Sequence, residues 1–486
     1  MSPIANLSHL ARSKVASGVR VHFVGIGGAG LSAIAQVLLD EGYLVSGSDQ
    51  QASLMTEHLT EHGAKVSIGH RAENVVGAQL VVMSSAVPKN NPEIVEARAR
   101  GIPVVKRAEL LGRMMEGRTG VAVAGTHGKT TTTAMIAQIL LDAGQDPTFI
   151  VGGVISSLGT SARAGLGPFV IEADEYDRTF LGLQPWAAVI TNVEHDHPDC
   201  YPTFEDMFGA FGEFVERVQP GGVLVACRDS LPARELGEQR TRAGKSVVMY
   251  GLNEGAAWRA VDVQPNNAGG SDYVLLREDQ TIGLVRLRVP GLHNVVNSLA
   301  ALVVADQFGV SFSQVCDSLT EFRGVLRRFE IKGEAAGVTV VDDYGHHPSE
   351  IKATLAAARM CFPGRGIWAV FQPHTYSRVK TLMDDFATAF VDAGHVIVTA
   401  IYAAREHDTL GVSGQDIVTR MKDARRCDAR YIADLDDAAA YLLANVKPGD
   451  VVITLSAGDG NRVGDRLLQE LSQKGTNGTR AAGGAR

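Results

Sequence analysis

Two glycine turns, each set between an apolar run and a helical pattern, restrict what this chain can fold into more than any other feature. The first reads VHFVGIGGAG, then the amphipathic LSAIAQVLLDEG, then YLVSGSD. The second reads VAVAGTHGKTTTTAMIAQILLDAG. Strand, tight turn and helix in that order open a right-handed βαβ unit. A third series follows FRGVLRRFE: VTVVDDY, SEIKATLAAARMC, GIWAVFQP, LMDDFATAF, HVIVTAIY and VVITLSAGDG alternate between strand and helix patterns. Repeated alternation of this kind predicts a doubly wound sheet in each unit.

The expected architecture is therefore α/β with three domains, in keeping with 486 residues. Residues 1–117 form a Rossmann-like domain, ending near the break MMEGRTG. Residues 118–324 form a central P-loop ATPase-like domain. Its short alternating strands SVVMYG, WRAVDVQP, SDYVLLRE and TIGLVRLRV predict a small antiparallel addition. Residues 325–486 form a second Rossmann-like domain, with a tail from about residue 473.

Composition narrows the function classes. Net charge is −8 and no long basic block occurs, which argues against nucleic acid as a partner. The five cysteines are odd in number and include no Cys-x-x-Cys pair, so no zinc ribbon or disulfide framework is indicated. The opening MSPIANLSHLARSKVASGVR lacks the apolar core of a signal peptide, and no apolar run approaches the roughly 20 residues of a membrane helix. A cytoplasmic protein without membrane insertion is expected.

The first turn, Gly25-Ile26-Gly27-Gly28-Ala29-Gly30, matches G-x-G-x-x-G between strand and helix. Its glycines let the backbone approach a pyrophosphate at the positive helix N-terminus, and Asp49 ends the second strand where a ribose-binding acid would lie. These residues leave NAD, FAD and a UDP-sugar open; alone they favour a dehydrogenase. The second turn is two residues shorter than the usual triphosphate loop, yet Gly125, Thr126, His127, Gly128, Lys129 and Thr130 keep its parts. Backbone N–H groups face phosphate, Lys129 supplies a point charge, and the Thr130 hydroxyl suits Mg2+. We read it as an ATP loop.

Glu172, ending PFVIE, and His197, in NVEHDHPD, stand at strand ends on the edge where that loop opens. Mg2+ prefers oxygen, so Thr130 and Glu172 are natural ligands and His197 a softer one. Asp174, Glu175, His195 and Asp196 share these loops, His195 more simply as a solvated loop residue. In the third unit, Asp342 to Pro348 and Gln372 to Arg378 form two polar loops that suit an anion and an amine, or else hydrogen bonds between domains. Arg327 and Arg328 could reach phosphates if the domains close.

GTHGKTTT, EADE, TNVEHDHPDCY, GLHNVVN, LRRFE, DDYGHHPSE and QPHTYSR occur in this order from about Val21 to Gly464. In order and spacing they resemble the Mur ligase family. VGIGGAGLSAIAQVLLDEGYLVSGSD is especially similar to the branch that adds L-alanine to UDP-N-acetylmuramate, with a UDP-sugar where a dehydrogenase holds NAD. The resemblance implies an ATP-dependent ligase of peptidoglycan precursor synthesis that works through an acyl phosphate. A recycling ligase that adds a tripeptide to the same sugar is the near alternative. An NAD oxidoreductase and a non-catalytic nucleotide-binding protein are alternatives of other classes.

The resemblance also implies roles. Lys129 holds the β- and γ-phosphates with Gly125 to Thr131 around them, and Thr130, Glu172 and His197 hold Mg2+. His293, Asn294 and Asn297 surround the adenine, and Arg328 and Asp343 close over phosphate and ribose. Tyr344, His346, His374 and Arg378 shape the alanine pocket, Arg378 pairing with the carboxylate. Gly27, Gly28, Ala29 and Gly30 cradle the UDP pyrophosphate, with Ser48, Asp49 and Ser84 near nucleoside or sugar. Lys129, His197, Arg328 and His346 are the catalytic candidates, in a monomer or homodimer. Two departures stand out: Phe211 stands where other Mur ligases carry a carbamylated lysine, which the alanine-adding branch also lacks, and this chain reads QPHTYSR where some members have QPHRFTR.

Overall fold

A computed structural model describes residues 18–482 apart from 85, 405, 409 and 424–427. The N-terminal stretch tested for a signal peptide, Cys427 and the last four residues lie largely or wholly outside them. Three sheets follow one another along the chain. The first is all-parallel, in the order Lys65–Ile68, Leu44–Asp49, Arg20–Val24, Leu80–Met83, Val104–Lys106. Chain order reverses on the two sides of Arg20–Val24, so the crevice beyond its C-terminal end is the place for a ligand. The helix Ala29–Asp40 starts there.

The central sheet has ten strands. Six parallel ones form its body: Val247–Gly251, Val223–Cys227, Ala187–Ile190, Gly120–Ala124, Phe169–Glu172 and Thr148–Ile155. The expected antiparallel addition takes a different form. Val247–Gly251 belongs to the parallel body, and Trp258–Pro265, Ser271–Arg277 and Gln280–Arg286 extend the same sheet beyond it. Trp258 and Ala260 turn inward as alternate residues, so the extension covers an edge that would otherwise stay unpaired. On the far edge, Thr160–Arg163 pairs antiparallel with Thr148–Ile155.

The third sheet runs Glu330–Ala335, Val338–Asp343, Val451–Ser456, Ile367–Gln372, His395–Val398, Asp428–Tyr431, parallel except at its first pair. Alternation along Val338–Asp343 sends Val340 to one buried face and Val341 to the other. The last helix spans Asn461–Ala482, past the point near 473 where a tail was expected, with no proline to stop it. Among the described residues, no helix is long and apolar enough to cross a membrane.

The units pack closely. Buried side chains of the first two sheets form one continuous core. Arg118 pairs with Glu41 at 2.6 Å, and Arg107 pairs with Asp174. The third unit joins through a bridge between Ile155 and Val325, and through Leu326 N–H donating to the Val154 carbonyl at 2.9 Å.

Candidate active site

The buried strand Gly120–Ala124 delivers the short loop to the helix Lys129–Asp142. Gly128 caps that helix at φ 84°, in the left-handed region, and a Cβ there would stand 2.6 Å from Asn297 Oδ1. Only glycine meets both demands. His127 N–H donates to Asn192 Oδ1 at 2.9 Å, fixing the loop to the strand end beside it. Lys129 Nζ donates to the Gly125 and Thr126 carbonyls at 2.5 and 3.1 Å and to Glu175 Oε1 at 2.8 Å. Burial disfavours this ammonium, but Glu175, with Asp174 and Glu172 beyond it, more than offsets that and raises its pKa.

Thr130 Oγ1 donates to Glu172 Oε2 at 3.2 Å, and the other Glu172 oxygen accepts from Gly152 N–H. Glu175 is buried, and its Oε2 has no hydrogen-bond partner among the described residues. Burial raises the pKa of both glutamates. His197 sits at φ 53°, its Nε2 3.8 Å from Glu175 Oε1. A hydroxyl, two carboxylates and one imidazole, with a buried oxygen left over, fit a hard divalent cation such as Mg2+.

These groups line a cavity of about 360 Å³ whose other walls come from all three units. Ala29, Gly30 and Arg107 approach from the first, and Arg328, Tyr344, His346, His374 and Arg378 from the third. Arg378 is buried and donates through Nε and Nη2 to Asp196 Oδ1 at 3.0 and 2.8 Å, and its Nη1 lies 3.0 Å from His374 Nδ1. The arginine expected to meet a substrate carboxylate thus holds an internal one. His346 Nδ1–H donates to the Tyr344 carbonyl at 3.0 Å, leaving Nε2 as acceptor. Burial, then the Arg378 charge, pushes its pKa down to about 3, so the ring is neutral.

A second cavity, about 510 Å³, shares His127, Gly128, Arg328 and Glu350 with the first. His293, Asn294, Asn297, Thr131 and Asp343 line it. Asn297 Nδ2 donates to Asn294 Oδ1 at 3.1 Å, and burial lowers the His293 pKa to about 4. Asp343 accepts from Phe329 and Gly345 N–H at 2.8 and 2.7 Å, while burial pushes it up to about 6.

At the first turn, Gly27 N–H donates to Asp49 Oδ2 at 2.8 Å, and Gly28 caps the following helix. Asp49 therefore braces the turn itself. Ser48 has no exposed surface; its hydroxyl donates to Glu93 Oε2 at 2.5 Å. Ser84 Oγ accepts from Ala86 N–H at 3.3 Å. Arg327 is committed to Asp342 at 3.0 Å and to the Ser456 carbonyl at 2.7 Å, so of the two arginines it is Arg328 that lines both cavities. His195 donates to the Tyr201 carbonyl at 2.9 Å through Nε2.

Sequence reasoning passed over Glu194 and Glu350, although both lie in quoted motifs. They flank His127, with Nδ1 3.1 Å from Glu350 Oε1 and Nε2 3.5 Å from Glu194 Oε2. Burial opposes its charge, but the two carboxylates win and raise its pKa to about 9. Arg107 had no local signal at all.

An enzyme that activates one substrate with nucleotide and joins it to another needs this junction of three sheets, and the family comparison agrees. The chain belongs to the Mur ligase family. The catalytic domain of that family matches residues 20–119, its middle domain 123–305, and its glutamate ligase domain 327–458. A UDP-N-acetylmuramate–L-alanine ligase from Geobacter sp. (strain M21) is 46% identical over 93% of this chain and 97% of its own. The solved UDP-N-acetylmuramate–alanine ligase of Thermotoga maritima is 30% identical, with a TM-score of 0.79 over 94% of this chain and 99% of that one. A murein peptide ligase from Psychrobacter arcticus follows at 25% identity, a TM-score of 0.68 and the same coverages. Phe211 is fully buried, its ring 5.2 Å from that of Phe180.

Proposed function

We propose that this protein joins L-alanine to UDP-N-acetylmuramate at the expense of ATP, as a cytoplasmic enzyme of peptidoglycan precursor synthesis. One observation carries the reading: Lys129, Thr130 and Glu172 share a single cavity with the Ala29–Gly30 turn and with His346, His374 and Arg378. A sugar nucleotide on the first unit, a triphosphate on the second and an amino acid on the third would meet there. We assign the units to residues 1–117, 118–324 and 325–486.

The substrate carboxylate is a poor electrophile, so a carboxylate oxygen attacks the γ-phosphorus of ATP, ADP leaves, and an acyl phosphate forms. The alanine amine then adds to the acyl carbon. Loss of a proton and expulsion of inorganic phosphate leave the amide. Lys129 and Arg328 meet the charge on the transferred phosphoryl oxygens. Thr130 and Glu172, with His197 and Glu175 beside them, would hold Mg2+, which supplies further charge neutralisation when bound. His293, Asn294 and Asn297 receive the adenine. His346 Nε2, a neutral acceptor, is placed to take a hydrogen bond from the attacking amine. Arg378 orients the amino-acid carboxylate in exchange for part of its contact with Asp196.

The test is phosphate release with ATP, Mg2+ and UDP-N-acetylmuramate, offering L-alanine, L-serine, glycine or the recycling tripeptide. Release with L-alanine and a product heavier by one alanyl residue is expected. Release with tripeptide alone would move the chain to the recycling branch, and none with any acceptor would refute ligase activity.

A further inference from the structure

His127, Glu194 and His347 bring two imidazoles and one carboxylate together where the central and C-terminal units touch. One ligand atom from each lies within 4.8 Å of the others. His127 Nε2 is 3.5 Å from Glu194 Oε2, and His347 Nδ1 is 3.8 Å from the same oxygen. Ligands at ordinary zinc distances stand about 3.3–3.6 Å apart at tetrahedral angles; the two separations to Glu194 are close to that, and drawing the two imidazoles, within 4.8 Å of each other, to the same spacing takes a side-chain movement of about 1 Å.

The surroundings have the form such a site requires. The second ring nitrogen of His127 faces Glu350 at 3.1 Å, the carboxylate support that orients a metal-bound imidazole. Glu194 Oε2 is held by the Ser349 hydroxyl at 2.5 Å. His347 is 4% exposed; its Nδ1, the nitrogen nearest Glu194, accepts a 3.3 Å bond from Ser349 N–H that a bound ion would displace, and its Nε2 has no hydrogen-bond partner among the described residues. His127 and Glu194 also line the larger cavity, which leaves a fourth position for water or for a bound nucleotide.

We propose that His127, Glu194 and His347 form a binding site for a divalent transition-metal ion, best suited to Zn2+, that ties the glycine loop to the C-terminal domain. Two nitrogens and one oxygen favour such an ion over Mg2+, which prefers a mostly oxygen set, so the site is chemically separate from Thr130 and Glu172. Binding exchanges one imidazolium proton of His127 for the dication. The ion would cross-link the two domains and hold the loop that must receive ATP.

The probe is cobalt(II) chloride, titrated into the full-length protein without nucleotide or Mg2+ and followed by visible absorption. One equivalent should give the intense band of four-coordinate cobalt, and Zn2+ should abolish it. His347→Ala and Glu194→Gln should each weaken cobalt binding by at least about tenfold. Glu194 is 42% exposed on its side chain, so its variant keeps the test valid should His347→Ala fail to fold. The double variant Glu172→Gln, His197→Ala should keep the band. A band that survives in Glu194→Gln, one that vanishes in the double variant, or only the weak spectrum of six-coordinate cobalt would overturn the proposal.

Discussion

Lys129 is already satisfied by two loop carbonyls and Glu175, so an incoming triphosphate must replace those partners with its own oxygens. Lys129→Ala should lower kcat for amide formation by a factor on the order of 10³ or more while leaving UDP-sugar affinity within about twofold. Phosphate release and calorimetric titration check the two halves, and loss of both would break the assignment of nucleotide and sugar to separate units. Arg378→Ala has a structural cost as well as a kinetic one. It strands the buried Asp196 carboxylate, which Arg378 holds well below the ordinary range after outweighing the burial penalty. A loss of about 3–5 kcal/mol in urea unfolding is expected, with a raised KM for the amino acid. An unchanged KM would take Arg378 out of that pocket.

Local spacing made the glycine loop and its helix legible, because every donor they offer lies within a few residues of Gly125. Other parts depend on contacts the chain cannot announce locally. Arg107 meets Asp174 across a domain boundary, and Glu350 reaches His127 only once the third sheet docks. The strand Thr148–Ile155 was missed because Gly152-Gly153 interrupts its apolar run. Those glycines have a use: a Cβ on Gly152 would stand 2.8 Å from both Glu172 oxygens, and one on Gly153 would press on Val325. Gly152→Ala should therefore push Glu172 off its N–H and raise the Mg2+ concentration for half-maximal activity several-fold. An unaltered Mg2+ dependence would show that the strand does not set this carboxylate.

Across the whole molecule, buried histidines at the junction impose a pH profile. Burial first, helped at His346 and His374 by Arg378, lowers His293, His346, His347 and His374 to about 4, 3, 4 and 4. Unfolded imidazoles take protons near 6.5, so the unfolded state binds more protons below that value and stability falls as the medium is acidified. His127 has the opposite sign: raised to about 9, it contributes fully below 6.5 and loses that contribution as pH climbs through 9. Thermal unfolding should peak near neutrality, with a steep acid arm from four groups and a shallow alkaline arm from one. His127→Gln should flatten the alkaline arm, and a Tm that rises from pH 7 to 9 in the parent chain would contradict this account.

Phe211 carries a consequence for the gas phase around the cell. A carbamylated lysine forms by reversible capture of carbon dioxide, so a ligase that uses one has part of its active site supplied by the atmosphere. Where the sequence resemblance places that position, this chain has a fully buried aromatic ring, packed edge-on against Phe180, which itself stacks on Phe214. Turnover should accordingly be the same in degassed, bicarbonate-free buffer as in buffer equilibrated with carbon dioxide, at every Mg2+ concentration. Cell-wall synthesis would then start with a step that does not respond to how much carbon dioxide the cell contains.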